Sequence, residues 1–347
     1  MLPVNLYSDN VAPAAPEIMA ALARVNVGPA QPYGQDPETK ALKSALSDLF
    51  GTEVWVFLAS TGTAANAISL SAMTPPYGAI YCSETAHIET SECGAAELFT
   101  GGAKLQLIRA KSGRMDPDAL DEKIRTAGKG LAHRIQPAVV NLTIATERGT
   151  VYSVKELERI AEIARRHGLK FHMDGARMAN ALVAIGASAA EVTTRIGVDV
   201  LSFGATKNGA LNAEAIVVFN KDIAEELRFR MRRSGQIWSK MRYAAAQIGA
   251  YVENGLWLKL GRQANAAGKR LSEGLVQVPG VRMIEPVEIN QLFIEMPERV
   301  IAGLEADGIG LGRRDGGVRM VTAWSTTNEE VDHVVARAKA HGARAAA

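Results

Sequence analysis

Apolar residues in this chain fall into two alternating patterns. The first is a short unbroken run, seen in EVWVFLAS (53–60), AIYCS (79–83), KLQLIR (104–109), PAVVNLT (137–143), KFHMD (170–174), VDVLSF (198–203) and AIVVFN (215–220). Runs this short, bounded by turn residues, predict interior strands. The second recurs every three or four positions, as in PEIMAALARV (16–25), DPETKALKSALSDLFG (36–51) and SVKELERIAEIARRHG (153–168), and predicts amphipathic helices. Gly51 closes the second of these helices, and TGTAANAISLSAM (61–73) reads as a loop opening another. Strand–helix alternation predicts an α/β fold with a mostly parallel sheet covered on both faces. The first 35 residues hold one short helix and the turn-rich GPAQPYGQDP.

The pattern changes after about residue 230. One long helical region, MRYAAAQIGAYVENGLWLKLGRQANAAGKRLSEGL (241–275), precedes VRMIEPV, NQLFIEMP and VRMVTAW, then a last helix. Segregated helices and strands predict a smaller α+β domain, giving 1–245 as N-terminal segment plus large domain and 246–347 as small domain. ARAKAHGARAAA, at the end, reads as a fraying helix.

Composition narrows the function classes. A chain of 347 residues can bury a large core, and 47% hydrophobic with 22% charged residues is a globular balance. A net charge of +2 offers no general field for nucleic acid or an anionic membrane. No apolar run approaches the ~20 residues of a membrane span, and MLPVNLYSDN lacks the form of a secretory leader. Two cysteines, Cys82 and Cys93, are too few for a disulfide framework, which points to a reducing cytoplasm. The six histidines show no ligand spacing such as HExxH, so zinc catalysis is not expected.

In open parallel sheets, ligands collect beyond the carboxyl ends of strands, and three features fall there. STGTAAN lies between a strand and a helix, where the backbone N–H groups of Gly62, Thr63 and Ala64 can cradle a phosphate. Asp174 ends KFHMD, and Lys207 follows VDVLSFGAT in a glycine-bounded loop. Each has a plainer role alone: a helix start, a local partner of Arg177, a solvated lysine. Together they are the parts needed to hold pyridoxal phosphate, the lysine as Schiff base and the carboxylate on the pyridinium nitrogen.

FHMDGARMANA and LSFGATKNGAL, with YSDNVAPA, YGQDP, STGTAAN and SETAHIETSECGA upstream, resemble the L-threonine aldolases, closest to their low-specificity bacterial branch. The resemblance runs from about Leu6 to Val334. It implies the aspartate-aminotransferase fold, pyridoxal phosphate, and cleavage of L-threonine or L-allo-threonine to glycine and an aldehyde. It makes Lys207 the Schiff-base lysine and Asp174 the pyridinium partner, stacks His87 on the ring, and gives the phosphate to Gly62 and Thr63. Arg177 would meet the phenolic oxygen or the substrate carboxylate. Ser8 and Arg319 would bind that carboxylate, with Tyr33 of YGQDP also at the substrate. Arg242 would reach the phosphate of a neighbouring subunit, making a homo-oligomer, a tetramer, with its site at a dimer interface. His133 would lie near the β-hydroxyl, and the base is left open between His87 and His133. The chain departs from the family at NLTIATERGT, where ENTHN is common, and at the added Thr61. Another enzyme of the same fold, an aminotransferase or β-eliminating lyase, and a non-catalytic binding protein are the competing readings.

Overall fold

All seven sheet strands expected in the large domain form in the computed structural model, which describes residues 4–314 and 316–343. They are β1 (Trp55–Ala59), β2 (Gly78–Ser83), β3 (Lys104–Ile108), β4 (Gln136–Thr143), β5 (Lys170–Gly175), β6 (Val200–Gly204) and β7 (Glu214–Val218). Across the sheet they run β1-β7-β6-β5-β4-β2-β3. β7 is antiparallel to both neighbours; the pairs β6–β5, β5–β4, β4–β2 and β2–β3 are parallel. Every residue of β2 and β7 is buried, which is why both appear in the sequence as unbroken apolar runs.

Local chemistry sets the helix ends. Asp36 Oδ1 accepts the Thr39 N–H at 2.8 Å to start Pro37–Phe50, and Gly51, at φ 67°, stops it. Ser153 and Glu156 form a reciprocal capping box on Val154–His167. The long helical region of 241–275 is instead two helices, α3 (Arg242–Val252) and α4 (Leu256–Leu275). Asn254 and Gly255 are left-handed, at φ 52° and 69°, and a right-handed helix cannot pass through them.

The small domain carries an antiparallel sheet of β8 (Arg282–Met283), β9 (Gln291–Glu295), β10 (Gly312–Arg314) and β11 (Gly317–Val321), in the order β8-β9-β11-β10. β10 has no counterpart among the expected strands; it is a three-residue edge carrying two exposed arginines, Arg313 and Arg314. Contacts cross the expected 1–245/246–347 division. Asn5 bridges Gly310, and Val4 and Leu6 belong to the small domain's core. α4 serves both cores, with Leu256, Trp257 and Leu260 in the large one and Ala267, Leu271 and Leu275 in the small one. The last helix spans Asn328–Ala343; residues 344–347 of the expected fraying end lie outside the described residues.

Candidate active site

The parallel strands β2, β4, β5 and β6 deliver their carboxyl ends to one edge of the sheet. There a cavity of about 310 Å³ opens, lined by Asp174, Lys207, His87, Gly62, Thr63 and Arg177 among others. Close backbone approach shapes it. A Cβ on Gly204 would stand 2.6 Å from Ala176 Cα, so only glycine lets β6 leave the sheet beside β5. Lys207 follows on the short turn Thr206–Asn208, half-buried.

Asp174 is 4% exposed. Its Oδ1 accepts the Ala176 N–H at 2.8 Å and its Oδ2 accepts Asn66 Nδ2 at 2.8 Å. Asn66 Nδ2 also donates to Glu92 Oε1 at 2.9 Å, and the same oxygen accepts His87 Nδ1 at 2.7 Å. His87, Glu92, Asn66 and Asp174 thus form one hydrogen-bonded chain that fixes the imidazole relative to the carboxylate. Behind it, His172 Nδ1 donates to Asn141 Oδ1 at 2.7 Å and its Nε2 accepts Ser202 Oγ at 3.1 Å. Burial pushes the His172 pKa down to about 4 against the opposing pull of Asp174, so this ring is a neutral brace.

α1 (Gly62–Met73) starts at the cavity wall. The added Thr61 is its cap: Oγ1 accepts the Ala64 N–H at 3.1 Å, which removes that N–H from the expected phosphate cradle. The first two N–H groups of the helix, on Gly62 and Thr63, have no intrahelical acceptor and suit a phosphate. Ser60, just before them, is anchored through its N–H and hydroxyl to Gln236 Oε1 at 2.9 and 3.1 Å.

The two arginines expected at the carboxylate differ. Arg177 grips Asp9 in a fork, Nε to Oδ2 at 2.7 Å and Nη2 to Oδ1 at 2.8 Å. Burial alone would raise the Asp9 pKa, but Arg177, Lys207 and Asn290 together bring it below the usual carboxylate range. Arg177 therefore lines the cavity with its charge already matched. Arg319 does not line the cavity; its Nη2 donates to the Tyr7 carbonyl at 3.2 Å and its buried Nε has no partner among the described residues. Burial and then repulsion from Arg177 and Arg314 lower its pKa, the condition of a cation awaiting an anion. Ser8 caps the turn Asp9–Val11 that carries Asp9 and the cavity residue Asn10.

Besides Ser8 and Arg319, three more expected site residues lie outside this cavity. His133 is exposed in the loop preceding β4, at the amino end of a strand whose other end, Thr143, lines the cavity. The length of β4 thus stands between His133 and the cavity of its own chain. Tyr33, at φ 58° and half-exposed under Arg232, and Arg242, bonded to the Gly28 carbonyl at 3.1 Å, lie outside it as well. Conversely, Glu92, Asn66, Asp9, Glu147 and Glu214 were not singled out from sequence. Glu92 sits five residues after His87 in SETAHIETSECGA, a legible hint; Glu214 Oε2 accepts the Ala205 N–H at 2.8 Å beside Lys207, and nothing in AEAIVV signals it.

A lysine, an anchored carboxylate and an open helix start at the carboxyl edge of such a sheet define the pyridoxal-phosphate enzymes of the aspartate-aminotransferase fold. The residues fit that cofactor, down to Asn66 Oδ1 and Glu92 Oε2, buried beside it without partners among the described residues. The chain belongs to the beta-eliminating lyase family, whose sequence profile matches residues 5–299. It is 41% identical to the low specificity L-threonine aldolase of Pseudomonas aeruginosa over 93% of this chain and 94% of that one. With the enzyme of that name from a Pseudomonas species, identity is 39% over 96% of each chain. A solved Leishmania major threonine aldolase superposes with a TM-score of 0.92 at 27% identity, covering 98% of this chain and 100% of that one.

Proposed function

We propose that this protein cleaves the Cα–Cβ bond of L-threonine, L-allo-threonine and related β-hydroxy-α-amino acids, releasing glycine and an aldehyde. The observation that carries the reading is the placement of Lys207 and Asp174 around one cavity, with Asp174 tied through Asn66 and Glu92 to His87. Pyridoxal phosphate, when bound, supplies the electron sink for the pair left on Cα.

The chain's own groups have separable tasks. Lys207 Nζ is the amine that holds the cofactor covalently, and the Gly62 and Thr63 N–H groups hold its phosphate. Asp174, anchored by two donors, would hold the ring nitrogen and keep a proton on it. His87, held by Glu92, would lie against the ring. Arg319, with Ser8, takes the substrate carboxylate, because Arg177 is already neutralised by Asp9. Clamping that carboxylate sets which bond at Cα stands perpendicular to the ring.

Release of acetaldehyde and glycine from L-threonine and L-allo-threonine, followed by a coupled dehydrogenase, tests the reading. Ammonia with a keto acid as the products would overturn it in favour of elimination.

The enzyme works in the cytoplasm, as its two unpaired thiols, Cys82 and Cys93, favour. It works as a homo-oligomer, a tetramer with dimers sharing sites. Arg242 and Tyr33 support this, lying on the surface outside the cavity of their own chain. Mixing Lys207→Ala and Arg242→Ala variants under subunit exchange should restore one complete site per hybrid dimer. No recovery, with exchange verified, would mean that Arg242 acts within its own chain.

A further inference from the structure

We propose that Glu147 is a catalytic residue of this reaction, its carboxylate taking the β-hydroxyl proton of the substrate as the Cα–Cβ bond breaks. The inference rests on the retro-aldol reading above. Glu147 lines the same cavity as Lys207 and Asp174. Its Oε1 accepts the His87 N–H at 2.9 Å and the Thr143 hydroxyl at 2.8 Å.

The turn that carries Glu147 is held from three sides. Ala145 bridges Val151, and the Thr146 N–H donates to the Thr150 carbonyl at 2.8 Å. The Thr150 hydroxyl reaches the Ser112 carbonyl at 2.6 Å. Gly149, at φ 77°, lies so close to β9 that a Cβ there would stand 2.8 Å from the Gln291 carbonyl oxygen. A carboxylate fixed this firmly in a cavity needs a reason beyond filling a wall.

The charged groups facing it are Asp174 from β5, His87 and Glu92 from the segment after β2, and Lys207 and Arg177 across the cavity. Arg148, next in sequence, is turned away to Glu285 at 2.9 Å. Burial, with the charge of Asp174 adding to it, pushes the Glu147 pKa up to about 6, against the hydrogen bonds from its own backbone N–H, from Thr143 and from His87. A base of that strength is ionised at neutral pH yet accepts a proton readily. The other cavity carboxylates already hold partners: Asp174 the Asn66 amide and the Ala176 N–H, Glu92 the His87 ring, Glu214 the Ala205 N–H.

The step balances without a redox partner. The substrate O–H bond breaks and its proton passes to Glu147. The freed oxygen pair becomes the second C=O bond of the departing aldehyde, and the Cα–Cβ pair stays on Cα, where a proton later completes glycine.

Glu147→Gln is the test, read in three ways. Threonine cleavage should fall by roughly 100-fold or more, and the acidic limb of kcat/KM near pH 6 should disappear. Exchange of the glycine α-proton in deuterated water, a partial reaction with no β-hydroxyl, should persist. Infrared difference spectra of cofactor-free protein should show a carboxyl titrating near pH 6 that the variant lacks. Wild-type cleavage with an intact acidic limb in the variant would overturn the proposal, as would a glycine exchange that falls in step with cleavage. Should Glu147→Gln not load cofactor, Glu147→Asp, expected to keep the limb at a reduced rate, and the wild-type titration decide. If wild-type protein exchanges glycine yet cleaves no β-hydroxy amino acid, the functional reading itself fails.

Discussion

In the large domain, Asn66 stands between the carboxylates of Asp174 and Glu92, and Glu92 in turn holds His87. In the small domain, Arg313 spans Glu298 and Glu305, both at 2.8 Å, with all three side chains well exposed. The distances are alike and the consequences are not. A buried carboxylate that loses its donor has no water to replace it, whereas an exposed one exchanges a neighbour for solvent at little cost. The inner chain therefore fixes groups for chemistry, and the outer fork decorates a surface.

Replacing members of each set sharpens that contrast. Lys207→Ala should abolish turnover by roughly four orders of magnitude, with no cofactor retained on the protein after borohydride reduction. Mass spectrometry of the reduced protein and a product assay check both. Asp174→Asn should still bind cofactor while cleaving about 100 to 1,000 times more slowly, because a neutral amide does not hold the ring nitrogen protonated. Near-normal turnover would break the role given to the carboxylate. Asn66→Ala should lower turnover about tenfold and weaken cofactor binding, since it unties Asp174 from Glu92 and leaves two buried carboxylates short of a donor. Titration of the cofactor-free variant with cofactor measures the second effect.

Glu147 extends the comparison to stability. Its folded pKa, about 6, lies above the ordinary 4.5, so the protonated form is the one that burial favours. The resulting stabilisation is complete below pH 4.5 and is lost as pH rises through 6. Glu147→Gln is neutral throughout. Without cofactor, it should match wild type at pH 4.5 and exceed it at pH 8 by on the order of 2 kcal/mol in denaturant melts. Arg313→Ala, at the outer fork, should leave both melting temperature and turnover at wild-type values. A clear loss in either would show that exposed pairs here act as more than surface.

Periodicity and turn chemistry made most of the fold legible. The seven strands of the large sheet, the caps of Pro37–Phe50 and Val154–His167, and the strand-end positions of Asp174 and Lys207 are local features, written within a few residues of themselves; that β1 and β3 form the sheet edges, with β3 buried only at Ile108, is not. The break at Asn254 and the edge strand β10 were harder, because one left-handed pair and three exposed residues leave almost no hydrophobic pattern.

By itself, the sequence determined the class of sheet, the carriers of cofactor chemistry and the edge at which they gather, since strand direction follows from strand–helix alternation. Only the tertiary structure decided how those carriers are held. Asn66 and Asp174 are 108 positions apart, Asn66 and Glu92 are 26 apart, and His87 and Glu147 are 60 apart. Contacts over such separations leave no local signal: they arise when parallel strands lay their ends side by side and bring polar groups into a space that water cannot freely fill. The same packing assigned Arg177 to Asp9, left the buried Nε of Arg319 without a partner among the described residues, and set Glu147 where burial tunes its acidity.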